Sequence, residues 1–243
     1  MSRTPKTPTY PPDPARVAAI FARFEAMEPA PATELRFHNP YTLLTAVALS
    51  AQATDVQVNK ATGALFAVAD TPAKMLALGE EQLVDHIKSI GLFRTKAKNV
   101  MAAARILVER HGGEVPLERE ALQRLPGVGR KTASVVLNEL GVEPAIAVDT
   151  HVFRVSHRLG LASAPTPEKV ERQLLQVAPA PWLTRAHHWL ILHGRYTCVA
   201  QRPRCGNCVV AELCPSRAFY EAAATAARTA RAKPAPARGS KPR

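Results

Sequence analysis

The chain has 243 residues, 47% hydrophobic and 21% charged, ordinary globular usage that excludes a wholly disordered or collagen-like polymer. Thirty-two Lys and Arg against twenty Asp and Glu leave a formal charge of +12, which attracts an acidic polymer in a salt-dependent way and puts nucleic acid first among partners. The longest apolar stretch, Tyr41 to Ala51, is broken by Thr42, Thr45 and Ser50 and is too short for the ~20 residues that cross a bilayer, so no membrane partner is expected.

In chain order, residues 1–13 are rich in proline and lack an apolar run, and read as a flexible, unprocessed extension of a cytoplasmic protein. Apolar positions then recur at three and four. This period predicts helices over 14–26, 40–52, 55–68, 72–78, 80–89, 95–111, 118–124, 130–140, 150–159, 167–177 and 183–196. Thr71 before Pro72 and Thr166 before Pro167 read as helix starts, and Gly91, Gly112, Gly141 and Gly160 as stops. Strand-like alternation is missing, and no fixed-period repeat suggests a solenoid, so the fold class is all-α. Residues 222–243 read as a basic flexible tail; from Arg217 on, seven bases and one acid carry +6 of the +12.

Leu125-Pro126-Gly127-Val128-Gly129-Arg130-Lys131 lies between two helical patterns. The glycines permit a tight hairpin whose backbone N–H groups open the next helix, a natural phosphate site next to Arg130 and Lys131. A plain helical hairpin would use the same glycines for the turn alone. At a helix start beside an arginine an ammonium is disfavoured, which leaves Lys131 either a nucleophilic amine or one more phosphate-binding charge. Further on, Ala147-Val148-Asp149-Thr150-His151 runs from apolar residues into an acid at a helix start. Asp149 is there either a helix cap or a rigid carboxylate aimed at developing positive charge, and the two roles are compatible.

All four cysteines, Cys198, Cys205, Cys208 and Cys214, fall within seventeen residues in the pattern C-x6-C-x2-C-x5-C. Such thiols point to a metal centre in a reducing compartment, a cubane cluster before a zinc site because only one pair has the CxxC spacing. His193 is a reserve ligand on the zinc reading. Arg202 and Arg204, between the first two cysteines, could contact phosphates or simply be solvated. Leu49 to Asp55 and Ile90 to Lys96 are weaker signals. Asp55 as a cap and Leu92 as a hydrophobic staple would explain them without a ligand.

Together, LSAQATD from Leu49, LPGVGRKTA from Leu125, AVDTH from Ala147 and HHWLILHGRYTC from His187 resemble the endonuclease III family of helix-hairpin-helix DNA glycosylases, from about Ala15 to Cys214. The cysteine spacing matches that family's 4Fe-4S motif position by position. The resemblance implies two helical domains with the active site in the cleft between them. A six-helix domain with the helix-hairpin-helix motif would span 33–143, and an iron-sulfur cluster domain 14–32 and 144–221. It also implies a bifunctional glycosylase and abasic-site lyase acting as a monomer on double-stranded DNA that contains a damaged pyrimidine or an abasic site, hence associated with the nucleoid. Lys131 would attack C1′ and form a Schiff base, and Asp149 would assist it and stabilise the cationic sugar. Gln52 would fill the space of the flipped nucleotide and Leu92 wedge beside the opposite strand, while Gly127 and Gly129 hold a phosphate. Phe93 and Arg94 depart from the family's usual tyrosine and small polar residue. Two other readings are the superfamily's adenine-removing branch, which generally lacks the lysine and carries a further domain, and a non-catalytic DNA-binding module stapled by zinc.

Overall fold

The computed structural model describes residues 9–232, with side chains through 226. Its α-helices are α1 (Pro14–Met27), α2 (Pro40–Leu49), α3 (Asp55–Val68), α4 (Pro72–Leu78), α5 (Glu80–Ile87), α6 (Phe93–His111), α7 (Arg119–Gln123), α8 (Arg130–Glu139), α9 (Thr150–Leu159), α10 (Pro167–Val177), α11 (Leu183–Tyr196) and α12 (Arg217–Ala232). Among the described residues there is no strand, and no helix is long and apolar enough to cross a membrane. Backbone contacts divide the chain into two units. One holds Ala30–Val148 with Ala178–His188; the other holds the chain up to Pro29, Asp149–Val177, and the residues from Trp189 on.

The first unit forms around α2. Asn39 starts this helix with a reciprocal cap: its Oδ1 accepts from the Thr42 N–H at 2.8 Å, and Thr42 Oγ1 accepts from the Asn39 N–H at 3.0 Å. Tyr41 to Val47 and Leu49 are all buried, so α2 is a core helix rather than an amphipathic surface one. Leu43, Leu65, Met75, Leu83 and Leu107, from α2 to α6, share this core, and each leucine cut to alanine there costs about 2–5 kcal/mol. Gly79, at a φ of 83°, separates the short helices α4 and α5.

Residues 144–148 and 178–188 pack with this first unit, whereas the sequence places 144–221 whole in the cysteine domain. The reason is Asn138 of α8, buried at 3% exposure. Its side-chain oxygen accepts from the Ala145 N–H at 3.1 Å, and its nitrogen donates to the Thr184 carbonyl at 3.0 Å. Next to it, half-buried Glu139 and buried His188 share a hydrogen bond. Losing either partner would strand a buried polar group.

The second unit rests on Phe21 and Phe24 of α1, which meet edge to face at 6.3 Å. Trp189 packs on Phe21 and donates its indole N–H to the Glu28 carbonyl at 2.9 Å. Arg16 fastens α1 to the end of α9: its guanidinium donates to the carbonyls of Leu159 at 2.7 Å and Gly160 at 3.2 Å. These are acceptors that the helix end leaves open. The chain continues after Cys214 as α12, although residues from 222 on read as flexible in the sequence. Alanine is the best helix former, and Arg217 pairs with Glu221 one turn on at 2.8 Å. Of that expected tail, residues 233–243 lie outside the described residues, as do 1–8 of the N-terminal extension.

Candidate active site and metal centre

The hairpin between α7 and α8 is fixed from below by buried Leu125 and Val128, the Val128 N–H donating to the Leu125 carbonyl at 3.0 Å. Gly127 takes a φ of 79°, and a Cβ there would meet Asn99 Cβ at 3.0 Å. Gly129 is the cap of α8 and supplies no capping side chain. Gly129, Arg130 and Lys131 are exposed at this helix start. A positive helix end without a side-chain cap, with two basic residues in its first turn, suits an anion. Lys131, second residue of α8, belongs to the first unit.

Asp149 opens the second unit and caps α9. Its Oδ1 accepts from the N–H groups of both His151 and Val152 at 2.8 Å. The capping role is thus realised, and it leaves a half-buried carboxylate in one fixed orientation.

Three described non-glycine residues hold a positive φ: Gln52 at 56°, Leu92 at 60° and Arg202 at 53°. Each costs backbone energy of order 1 kcal/mol, and such strain collects at functional sites. All three are exposed. α2 ends at Leu49, not 52, and the loop carrying Gln52 leads into α3, whose cap is Thr54 in a reciprocal pair with Gln57 rather than Asp55. Leu92 is 62% exposed and therefore staples nothing. It is Leu92, and not Gly91 before it, that takes the left-handed turn, and α6 starts directly after it at Phe93. Arg94 lies over the Phe93 ring at 5.4 Å, so the two residues at which the sequence departs from the pattern it resembles touch each other.

Cys198, Cys205, Cys208 and Cys214 line one cavity with Arg158, His193, Arg204, Arg217 and Tyr220 among its walls, and none of the four is in a disulfide. Burial pushes the Cys208 thiol up to about 11 and also raises Cys205 and Cys214, with the neighbouring cysteines adding to each. Four thiols that repel one another's charge become thiolates only around a cationic centre. Four thiols that line one cavity, with a single CxxC pair among them, are the donor set of an iron-sulfur cluster. His193 has Nε2 3.6 Å from Cys208 Sγ and packs against the Phe24 ring at a tilt of 56°, and burial holds its imidazole down at about 4.

Sequence reasoning missed two arginines that fasten the cysteine loop. Arg154 donates to the Cys198 carbonyl at 3.1 Å and the Gly194 carbonyl at 2.8 Å. Arg158 donates to the carbonyls of Val199 at 2.8 Å and Ala200 at 2.9 Å. Their spacing of four on α9, just after Asp149, was the available signal, since it puts both on one face.

Residues 45–180 match the model of the HhH-GPD superfamily of base excision DNA repair proteins, and residues 198–214 that of the iron-sulfur binding domain of endonuclease III. Endonuclease III of Escherichia coli (strain K12) is 56% identical over 200 residues, covering 82% of this chain and 95% of the relative. That of Rickettsia conorii is 58% identical over 198 residues, covering 82% and 94%. The structure of a trapped endonuclease III–DNA covalent intermediate superposes with a TM-score of 0.80 at 41% identity, over 86% of this chain and 99% of that one. A thermostable thymine-DNA glycosylase, with a TM-score of 0.71 at 22% identity over 86% and 96%, shares the fold.

Proposed function

The chain belongs to the endonuclease III family of base-excision repair DNA glycosylases and lyases and carries that family's 4Fe-4S cluster on its four cysteines, and from that premise we propose that Lys131 and Asp149 excise oxidised or ring-saturated pyrimidines, such as thymine glycol, and then cut the strand. The observation that carries this reading is the aspartate locked as the cap of α9, with an exposed lysine in the first turn of α8 beside it in the motif set.

A base inside the stack is out of reach, so the nucleotide is extruded first, at a cost of a few kcal/mol that damage lowers. The amine of Lys131 attacks C1′, the bond from C1′ to the base breaks, and the base leaves with that electron pair and takes up a proton. Nζ then gives up one proton, the C1′–O4′ bond breaks with its electron pair and a proton from water going to O4′, and a protonated imine joins Nζ to C1′. Loss of a proton from C2′ then expels the 3′ phosphate with the C3′–O electrons, and water later releases the lysine. Asp149, held in one orientation by two N–H groups, would supply the negative charge that stabilises the cationic sugar.

Gln52 and Leu92, each on a strained turn, are suited to fill the vacated space and to wedge the opposite strand. The α8 start with Gly127, Gly129 and Arg130 would bind a phosphate, with Arg202 and Arg204 adding contacts from the cysteine loop. When bound, the cluster supplies structure and DNA positioning and takes no part in hydrolysis. The +12 charge supports work as a monomer on nucleoid DNA. The test is single-turnover excision from duplexes holding thymine glycol, an oxidised purine or no lesion. Thymine glycol should be released fastest and the undamaged duplex left intact; preferential release of the purine would overturn the assignment.

A further inference from the structure

Beyond its four thiols, the cysteine cavity has a wall made by two residues 62 positions apart. Arg158 of α9 places Nη1 3.4 Å from Cys198 Sγ, and its backbone carbonyl lies 3.4 Å from Cys214 Sγ. The far face of the guanidinium is covered by the Tyr220 ring of α12, with 4.3 Å from Cζ to the ring centroid. Arg217, which opens α12, also lines the cavity, and Ser216 before it is buried at 2% exposure. α12 is thus fastened to the cysteine site by its first turn.

We propose that Tyr220 is a positioning residue that presses Arg158 onto Cys198 and thereby raises the reduction potential of the 4Fe-4S cluster. The proposal rests on the reading that a cluster fills this cavity. Electrostatics gives the sign. Reduction adds negative charge to the cluster and its thiolates, so a cation and a hydrogen bond at one sulfur favour the reduced member of the one-electron couple. A guanidinium stacked on an aromatic face is held in place and shielded from water, which strengthens its field at the sulfur. Arg158 also donates to the Val199 and Ala200 carbonyls; without the ring its uncovered face is hydrated, which weakens the field of Nη1 at Cys198 Sγ.

The experiment is voltammetry of the full-length holoprotein without DNA, with iron content and visible absorption recorded for each variant. Tyr220→Leu should lower the potential by the equivalent of a tenfold change in the one-electron equilibrium, about 59 mV. Tyr220→Phe, which keeps the ring, should match wild type. An iron-loaded Tyr220→Leu protein with an unchanged potential overturns the proposal, as does an equal shift in Tyr220→Phe. Should the leucine variant lose iron, Tyr220→Met, which fills the space without a π face, decides: a lowered potential supports the proposal and a wild-type one overturns it. A wild-type protein purified without iron would contradict the cluster reading itself before any potential is measured.

Discussion

Gln52 and Leu92, forty positions apart in the chain, share one backbone state: both stand left-handed, at φ of 56° and 60°, and both are exposed. Neither side chain gains enough burial there to offset the strain. On the proposed mechanism the offsetting term is the DNA stack that they enter.

Leu92→Asn tests this directly. Asparagine accepts the left-handed turn more readily than leucine, and little buried surface is lost at a site 62% exposed. Thermal stability should stay within about 1 kcal/mol of wild type or rise, while excision of a damaged base should fall by about tenfold or more because the apolar wedge is gone. A large drop in melting temperature with normal excision would make Leu92 a folding residue instead.

Asp149→Asn separates the cap from the catalytic charge. Asparagine caps helices about as well as aspartate, so the two N–H groups of His151 and Val152 keep an acceptor and the melting temperature should barely move. Turnover should fall by about 10²- to 10³-fold. Full activity would leave Asp149 a cap and nothing more.

Gly194 lets α11 approach α9 closely: a Cβ there would lie 2.8 Å from His151 Cβ and 3.1 Å from Val155 Cγ2. Gly194→Ala should therefore destabilise the protein by about 1–3 kcal/mol through overpacking. Its carbonyl also accepts from Arg154, so the cysteine loop should loosen with it. Denaturant melts of the two proteins check this, and coincident curves would contradict it.

Lys96 of α6 is 8% exposed, and its Nζ has no hydrogen-bond partner. Burial lowers its pKa from the usual lysine value. The folded state therefore holds this proton less firmly than the unfolded one, and unfolding takes up a proton in the window between the lowered value and about 10.4. Stability from this site rises as pH rises through that window. Lys96→Met should stabilise the protein at neutral pH by about 1 kcal/mol, with a smaller gain near pH 10. An equal gain at both pH values would rule out the buried amine as its cause.

Much of the helical layout was legible because its signals are local. Thr71-Pro72 starts α4, and Gly112 and Gly160 end α6 and α9 in left-handed turns. The cysteine spacing and the Asp149 cap were legible for the same reason. What stayed hidden depends on partners far away in sequence or on backbone angles. Asn138 joins Ala145 to Thr184 across the chain, and nothing in its neighbourhood announces this. Arg158 and Tyr220 meet only in the fold. A left-handed leucine is invisible in sequence, because a glycine beside it is the more natural choice. The alanine run of α12 carries helix propensity without the bulky apolar positions that mark a core-facing helix in sequence.

The central claim is that Lys131 is the nucleophile on a damaged pyrimidine. Covalent trapping tests it: the protein is incubated with a duplex that contains thymine glycol, borohydride is added, and the protein–DNA adduct is measured for wild type and Lys131→Gln. An adduct with wild type alone, with lesion binding kept by the variant, is the expected result. An adduct that survives in Lys131→Gln, or none with wild type on either thymine glycol or an abasic site despite iron loading and intact DNA binding, would contradict it.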